Sequence, residues 1–218
     1  RKGQTIDGVS HKSTSRVTFM AASDEPLSGE PLVSLGPDCG VRMRIDEQAM
    51  PWNKRGPTNF FHWMLSSLAA VAAVLDCVDP GSYFGADHWS LVGISPSGSY
   101  EFEHEPTGLR SLHDAKTFEY ESANTARLAV AERYVRRLHR LRQLFEAPGS
   151  LRLLHVVDNE NEMNVRPPPS RDAIRRVRKL LAARHTMVIA HDSNFASAAS
   201  LSVAGVALVD TRQFRRHA

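Results

Sequence analysis

Cysteine is scarce in this chain, with only Cys39 and Cys77 in 218 residues. One bridge at most could form, and a chain this long buries enough apolar surface to fold without a staple, so a disulfide scaffold is excluded. Long apolar runs are missing too. The most apolar stretch, Met64 to Val78, is broken by Ser66, Ser67 and Asp76 and falls short of the roughly 20 residues that span a bilayer. The expectation is a soluble protein with no membrane partner. Glycines are dispersed, which leaves no phosphate-cradling loop, and no close His or Cys pair has the spacing of a zinc site. Neither a cofactor nor a metal is expected. Aromatic residues make up 7% of the chain and do not interleave with its basic positions. That argues against base stacking and so against a nucleic-acid partner.

What remains is an ordinary globular composition, 42% hydrophobic and 23% charged, which fits one domain with appendages. The net charge of +3 conceals an asymmetry. Residues Arg127 to Arg184 hold 14 Lys and Arg against 6 Asp and Glu, and the rest of the chain holds 13 against 18. The basic half could take a phosphorylated ligand. The simpler reading is a solvated surface, because most of these arginines fall on the outer faces of two amphipathic helices.

Residues 1–29 read as a flexible leader, 30–211 as a single α/β domain and 212–218 as a basic tail. The sequence opens on Arg1, and Met20-Ala21-Ala22-Ser23 would serve as a start. Residues 1–19 are then expected to lie ahead of the native product, which an intact mass would settle. A cytoplasmic location is expected.

Within the domain, Pro31 to Leu35 reads as a buried strand ended by Gly36-Pro37-Asp38, with Asp38 placed to cap a helix beginning near Cys39. A largely buried helix is expected from about Phe61 to Val78. Leu91–Ser95 and Tyr100–His104 flank Pro96-Ser97-Gly98-Ser99 as a hairpin, with Tyr100, Phe102 and His104 on one face. The longest helix should run from a cap at Ser122 or Asn124 to the stop at Pro148-Gly149, with Tyr134, Leu138, Leu141 and Phe145 inward. A strand at 151–157, a helix at 170–184 and a strand at 186–190 form a parallel crossover unit. Val203 to Val209 adds a last strand. The expected fold is thus one layered α/β domain with a mixed sheet, a central hairpin, a C-terminal parallel strand-helix-strand unit and helices on both faces.

Ligands of open α/β sheets bind beyond the carboxyl ends of the strands. The residues in that position are Asp38 and Cys39, Asp158 and Asn159, His191 and Asp192, and Asp210. A thiol at a helix N-terminus gains from the unpaired N–H groups and the macrodipole, both of which favour thiolate. A histidine nearby would complete its activation. From spacing alone His62, His104, His155 and His191 each read more simply as core or surface residues, and Cys77, late in an apolar helix, reads as structural.

The ordered set Val33-Ser34-Leu35-Gly36-Pro37-Asp38-Cys39, Phe61-His62-Trp63, Tyr100-Glu101-Phe102-Glu103-His104-Glu105 and Arg136-Arg137-Leu138-His139-Arg140, followed by the strand ending at Val157, resembles a bacterial family described as putative papain-like cysteine peptidases. In that family a Ser-Leu-Gly-x-x-Cys segment is followed by Pro-Phe-Asp-Trp and by a strand ending in His-Asp. Here the second motif reads Phe60-Phe61-His62-Trp63 and the third His104-Glu105. The resemblance implies Cys39 as nucleophile and His104 as its base.

The leading expectation is therefore a thiol-dependent hydrolase or acyl transferase acting on a peptide or another amide or ester. Asp158 would orient the imidazole, with Asn159, Glu160 and Asp192 competing for that place, and a backbone N–H at Cys39 or Gly40 would help to hold the oxyanion. His62, Trp63, Asn159, His191 and Asp192 are the expected substrate-binding positions. Two other readings stand beside it. One is a sugar- or nucleotide-binding transferase in which Cys39 merely packs. The other is a catalytically inactive interaction module.

Overall fold

The computed structural model describes residues 32–36, 60–61, 64–157, 170–191 and 201–210. Their strands form two sheets of four. The first is wholly parallel and contains β1 (Leu32–Ser34), β6 (Arg152–Val157), β7 (Thr186–His191) and β8 (Val206–Asp210), side by side in that order. The second is wholly antiparallel, in the order β2 (Met64–Leu65), β5 (Leu109–Ser111), β4 (Tyr100–His104) and β3 (Trp89–Ile94). The α/β architecture is thus as the sequence indicates, but its parallel and antiparallel pairings are divided between two sheets rather than joined in one. The division follows from connectivity: short turns link β3, β4 and β5 as neighbours, while parallel strands need long crossovers.

Apolar alternation decides which face each parallel strand turns inward. Leu153 and Val157 of β6 and Met187 and Ile189 of β7 enter the main core with Val33 and Leu35. Leu154, Val156, Val188 and Ala190 form a separate cluster on the opposite face. Helix α4 (Arg171–Leu180) buries Ile174 and Val177 in the main core and packs against α1 (Leu68–Asp76), with Arg176 paired to Asp76 at 2.9 Å. Among the described residues no helix contributes to the smaller cluster.

The helix expected over 61–78 is shorter at its start. Met64 and Leu65 pair with β5, and α1 begins only after Ser67, whose hydroxyl accepts the Ala70 N–H at 3.1 Å. A serine side chain competes well for an unpaired N–H at a helix start, so it sets the boundary that apolar composition alone does not. A short helix, α2 (Pro80–Tyr83), follows, capped by Asp79.

The hairpin and the long helix match the reading closely. Strands β3 and β4 pair around Ser95–Ser99 with a bulge between Leu91 and Gly93. Helix α3 (Ala123–Glu146) starts at the cap Ser122 and buries Tyr134, Leu138 and Leu141, while Phe145 is half-buried. It lies over β3 and α2. Phe60, Phe84, Trp89 and Tyr134 fill the space between, with Phe60 edge-on to Phe84 at 5.0 Å and Trp89 stacked on Tyr134 at 5.2 Å. Such pairs add about 1 kcal/mol each beyond area burial. β3 is an edge strand among the described residues, and its Leu91, Val92 and Ile94 are exposed.

Candidate functional site at the exit of the first parallel strand

All four parallel strands point the same way, so their carboxyl ends share one edge. Val157, His191 and Asp210 are register partners across β6, β7 and β8, and the carbonyl of Gly36, just past β1, accepts the Val156 N–H at 3.3 Å. Of the positions read as the ligand rim, His191 and Asp210 are on this edge; the His191 side chain is partly exposed. Asp38, Cys39, His62, Trp63, Asp158, Asn159 and Asp192 lie outside the described residues.

The exit of β1 is held by side chains from two other segments. The Leu35 carbonyl accepts the Ser66 hydroxyl at 3.0 Å and the Nδ1–H of His155 at 3.3 Å. The Ser34 hydroxyl accepts the Gly36 N–H at 3.1 Å. Gly36 itself has φ of 98°, and a Cβ placed there would overlap the Ser66 hydroxyl. Only glycine meets both conditions without strain. The exit from β1 at Gly36 is therefore specified twice, by its backbone conformation and by its packing.

His155 is 3% exposed, on the face of β6 that carries Leu153 and Val157. A carbonyl can only accept, so the bond to Leu35 puts the proton on Nδ1 and leaves Nε2 with its lone pair. No hydrogen bond reaches Nε2 among the described residues. Burial pushes the pKa of the ring down to about 4, against a weaker opposing effect of the Leu35 carbonyl, so the imidazole is neutral near pH 7. An anchored N–H with a neutral acceptor opposite is the state in which a histidine can accept a proton.

His104 lies at the end of β4 on the apolar face, as the alternation indicated, and is fully buried. Its Nε2–H donates to the Tyr83 carbonyl at 2.7 Å, and Nδ1 accepts the Thr107 hydroxyl at 2.8 Å. Phe84 stacks on the ring at 4.5 Å, with Tyr83, Trp89 and His88 around it. Burial drives its pKa down to about 4, aided by His88 and opposed by the Tyr83 carbonyl and Glu105. Both nitrogens are thus engaged, and accepting a thiol proton would require breaking the Thr107 bond. In this arrangement His104 fastens α2 to β4.

The basic half spends many of its guanidinium donors on the protein itself. Arg142 donates to the carbonyls of Cys77 and Val78, Arg184 to those of Phe145 and Ala147, and Arg178 to that of Gly205. Arg137 is almost fully buried and binds Asp114 through both carboxylate oxygens. These contacts favour staples between elements over a surface reserved for phosphate. No helix among the described residues is long and apolar enough to cross a membrane.

His155, Ser66 and Thr107 were not distinguished by the sequence. The usable signal was His155 within Leu153-Leu154-His155-Val156-Val157, since an imidazole inside an apolar strand must find a polar partner. The fold defines an α/β protein with separate parallel and antiparallel sheets. No family model, no curated protein and no solved structure matches the chain.

Proposed function

We propose that this protein is a thiol-dependent hydrolase or acyl transferase with Cys39 as nucleophile, acting on a peptide or another amide or ester. The observation that carries the reading is the built exit of β1: Gly36 at positive φ, and the Leu35 carbonyl held by both Ser66 and His155. Cys39 follows three residues after Gly36. Such construction suits a place where the position of a reactive side chain matters. The motif order shared with putative papain-like cysteine peptidases supports the same residue. Asp158 and Asn159, which follow β6 directly, remain the proposed polar partners of the site.

The test uses the full chain with a panel of p-nitrophenyl esters, thioesters and peptide amides. The expected result is turnover that disappears in Cys39→Ala and after stoichiometric alkylation mapped to Cys39. A second reading, a sugar- or nucleotide-binding transferase, draws on the wholly parallel sheet with His191 and Asp210 at its carboxyl edge. It requires that Cys39→Ala retain activity toward a phosphorylated donor, and that outcome would overturn the thiol mechanism.

A further inference from the structure

We infer that β3 is the contact strand of a symmetric dimer, in which a second copy of this chain sets its own β3 antiparallel to the first and joins the two four-stranded sheets into one. The inference is independent of the thiol reading.

The backbone of β3 is prepared for a second neighbour. The Glu105 N–H donates to the His88 carbonyl at 2.9 Å and the Ser95 N–H to the Ser99 carbonyl at 2.8 Å. Hydrogen-bonded and non-bonded pairs alternate along an antiparallel ladder, so Ser90 and Gly93 bond to β4 while Leu91 and Ile94 turn their N–H and C=O groups away from it. Among the described residues no hydrogen bond meets those outward groups. The side chains of Leu91, Val92 and Ile94 are about half exposed or more. Trp89 to Ile94 includes neither a charge nor a proline, the usual means of keeping an edge apart.

Three features select a second copy as the occupant. The first is register. Leu91 lies opposite Phe102 and Ile94 opposite Tyr100, so the bulge makes a three-residue step on β3 cover two residues of β4. A second β3 turned end for end presents the same step: Leu91 falls opposite its Ile94, Ile94 opposite its Leu91, and bulge meets bulge. The contact is then self-complementary, as a two-fold interface must be. The second is charge. In this register Asp87, whose side chain is fully exposed, falls opposite Gly98 of the second copy, where Lys116 reaches the neighbouring Ser97 carbonyl. Opposite charges therefore meet at both ends of the paired strands. The third is the helix above. Arg133 and Arg137 turn toward Asp114 on the β5 side, which puts the half-exposed Leu128 on the other flank of α3, the flank on the β3 side. A two-fold axis normal to the sheet keeps both copies of α3 on one face and brings these flanks toward each other.

The experiment is sedimentation velocity of the full-length protein from micromolar to several hundred micromolar. A reversible monomer–dimer equilibrium with no larger species is expected. Val92→Lys, which sets like charges beside the axis, should raise the dissociation constant by about tenfold or more. Register is read by disulfide cross-linking, with the linked peptides identified by mass. Leu91→Cys mixed with Ile94→Cys should form a covalent dimer through the two new thiols, since opposed residues lie roughly 5.5 Å apart between Cα atoms. Either variant alone should not, because its two thiols are diagonal neighbours about 7–8 Å apart. A wild type that stays monomeric throughout the range overturns the inference, as does a dimer that Val92→Lys leaves unchanged. Cross-linking as efficient in a single variant as in the mixture also overturns it, and so does assembly beyond the dimer. The cross-linking decides alone if Val92→Lys does not fold.

Discussion

Asp114 and Arg137 meet inside the protein as a two-point ion pair, with Nη1 to Oδ2 at 2.9 Å and Nη2 to Oδ1 at 2.7 Å. Both residues are under a tenth exposed. The carboxylate also accepts the Tyr134 hydroxyl and the Ser111 hydroxyl, and Arg133, on the same helix as Arg137, donates to its Oδ1 and to the Asp114 backbone carbonyl. The pair thereby ties the end of β5 to α3. Removing one partner strands the other charge away from water. Asp114→Ala is expected to cost about 3–5 kcal/mol in urea unfolding, whereas the double change Asp114→Ala with Arg137→Leu should recover a large part of that.

Gly36 tests whether the exit of β1 is specified by conformation or by packing. Gly36→Ala meets both a strained φ and the Ser66 hydroxyl, and should lose about 2–4 kcal/mol. Combining it with Ser66→Gly removes the overlap but leaves the backbone strain of about 1–2 kcal/mol and gives up the bond to Leu35. The double variant should therefore be more stable than Gly36→Ala alone and less stable than wild type.

Acid stability should be governed in part by two histidines. His104 and His155 are each held near 4 in the folded protein, against an ordinary value of 6.5. Above pH 6.5 neither state binds the proton and their effect is constant. Between 6.5 and 4 the unfolded chain takes up protons that the folded one refuses, so stability falls with falling pH. Each ring contributes up to about 1.4 kcal/mol per pH unit and roughly 3 kcal/mol by pH 4. Unfolding measured from pH 7 to 4 should show this loss, reduced by about one ring's share in His155→Gln or His104→Gln.

The free edge of β3 gives a different kind of prediction. Leu91, Val92 and Ile94 are 49%, 45% and 61% exposed on a strand with no partner on one side among the described residues. Apolar edges of this sort invite edge-to-edge association. Val92→Lys, at the bulge, should change unfolding stability by less than about 0.5 kcal/mol and should lower light scattering at high protein concentration.

Long periodic segments were the legible part of the fold. The alternation of Tyr100, Phe102 and His104, the stripe of Tyr134, Leu138 and Leu141, and the strand-helix-strand run after Leu151 each express one period over enough residues to be unambiguous. Strand β5 escaped because three residues carry no period. The start of α1 escaped because Met64 and Leu65 look the same in a strand as in a helix, although Ser67 marked the boundary. The Asp114–Arg137 pair could not be seen at all, since 23 positions separate its members and charged residues on a helix read as solvent-facing. At the candidate site, sequence located the strand exits but not the hydrogen bonds there. Which nitrogen of which histidine is available depends on contacts such as Leu35 with His155 and Tyr83 with His104.

The pairing of β1 with β6 has a kinetic side. Leu32 is matched to Arg152 and Ser34 to Leu154, so the first parallel strand finds its neighbour only across the whole antiparallel sheet and α3. The β3–β4–β5 meander, by contrast, closes through turns of a few residues. Loop closure of such different lengths separates the two events in time. On a ribosome the hairpin and α3 can be complete while β1 still has no strand to join. The exit at Leu35 and Gly36 then forms only after the β3–β4–β5 meander and α3, because the His155 side chain and the N–H of Val156 both arrive with β6.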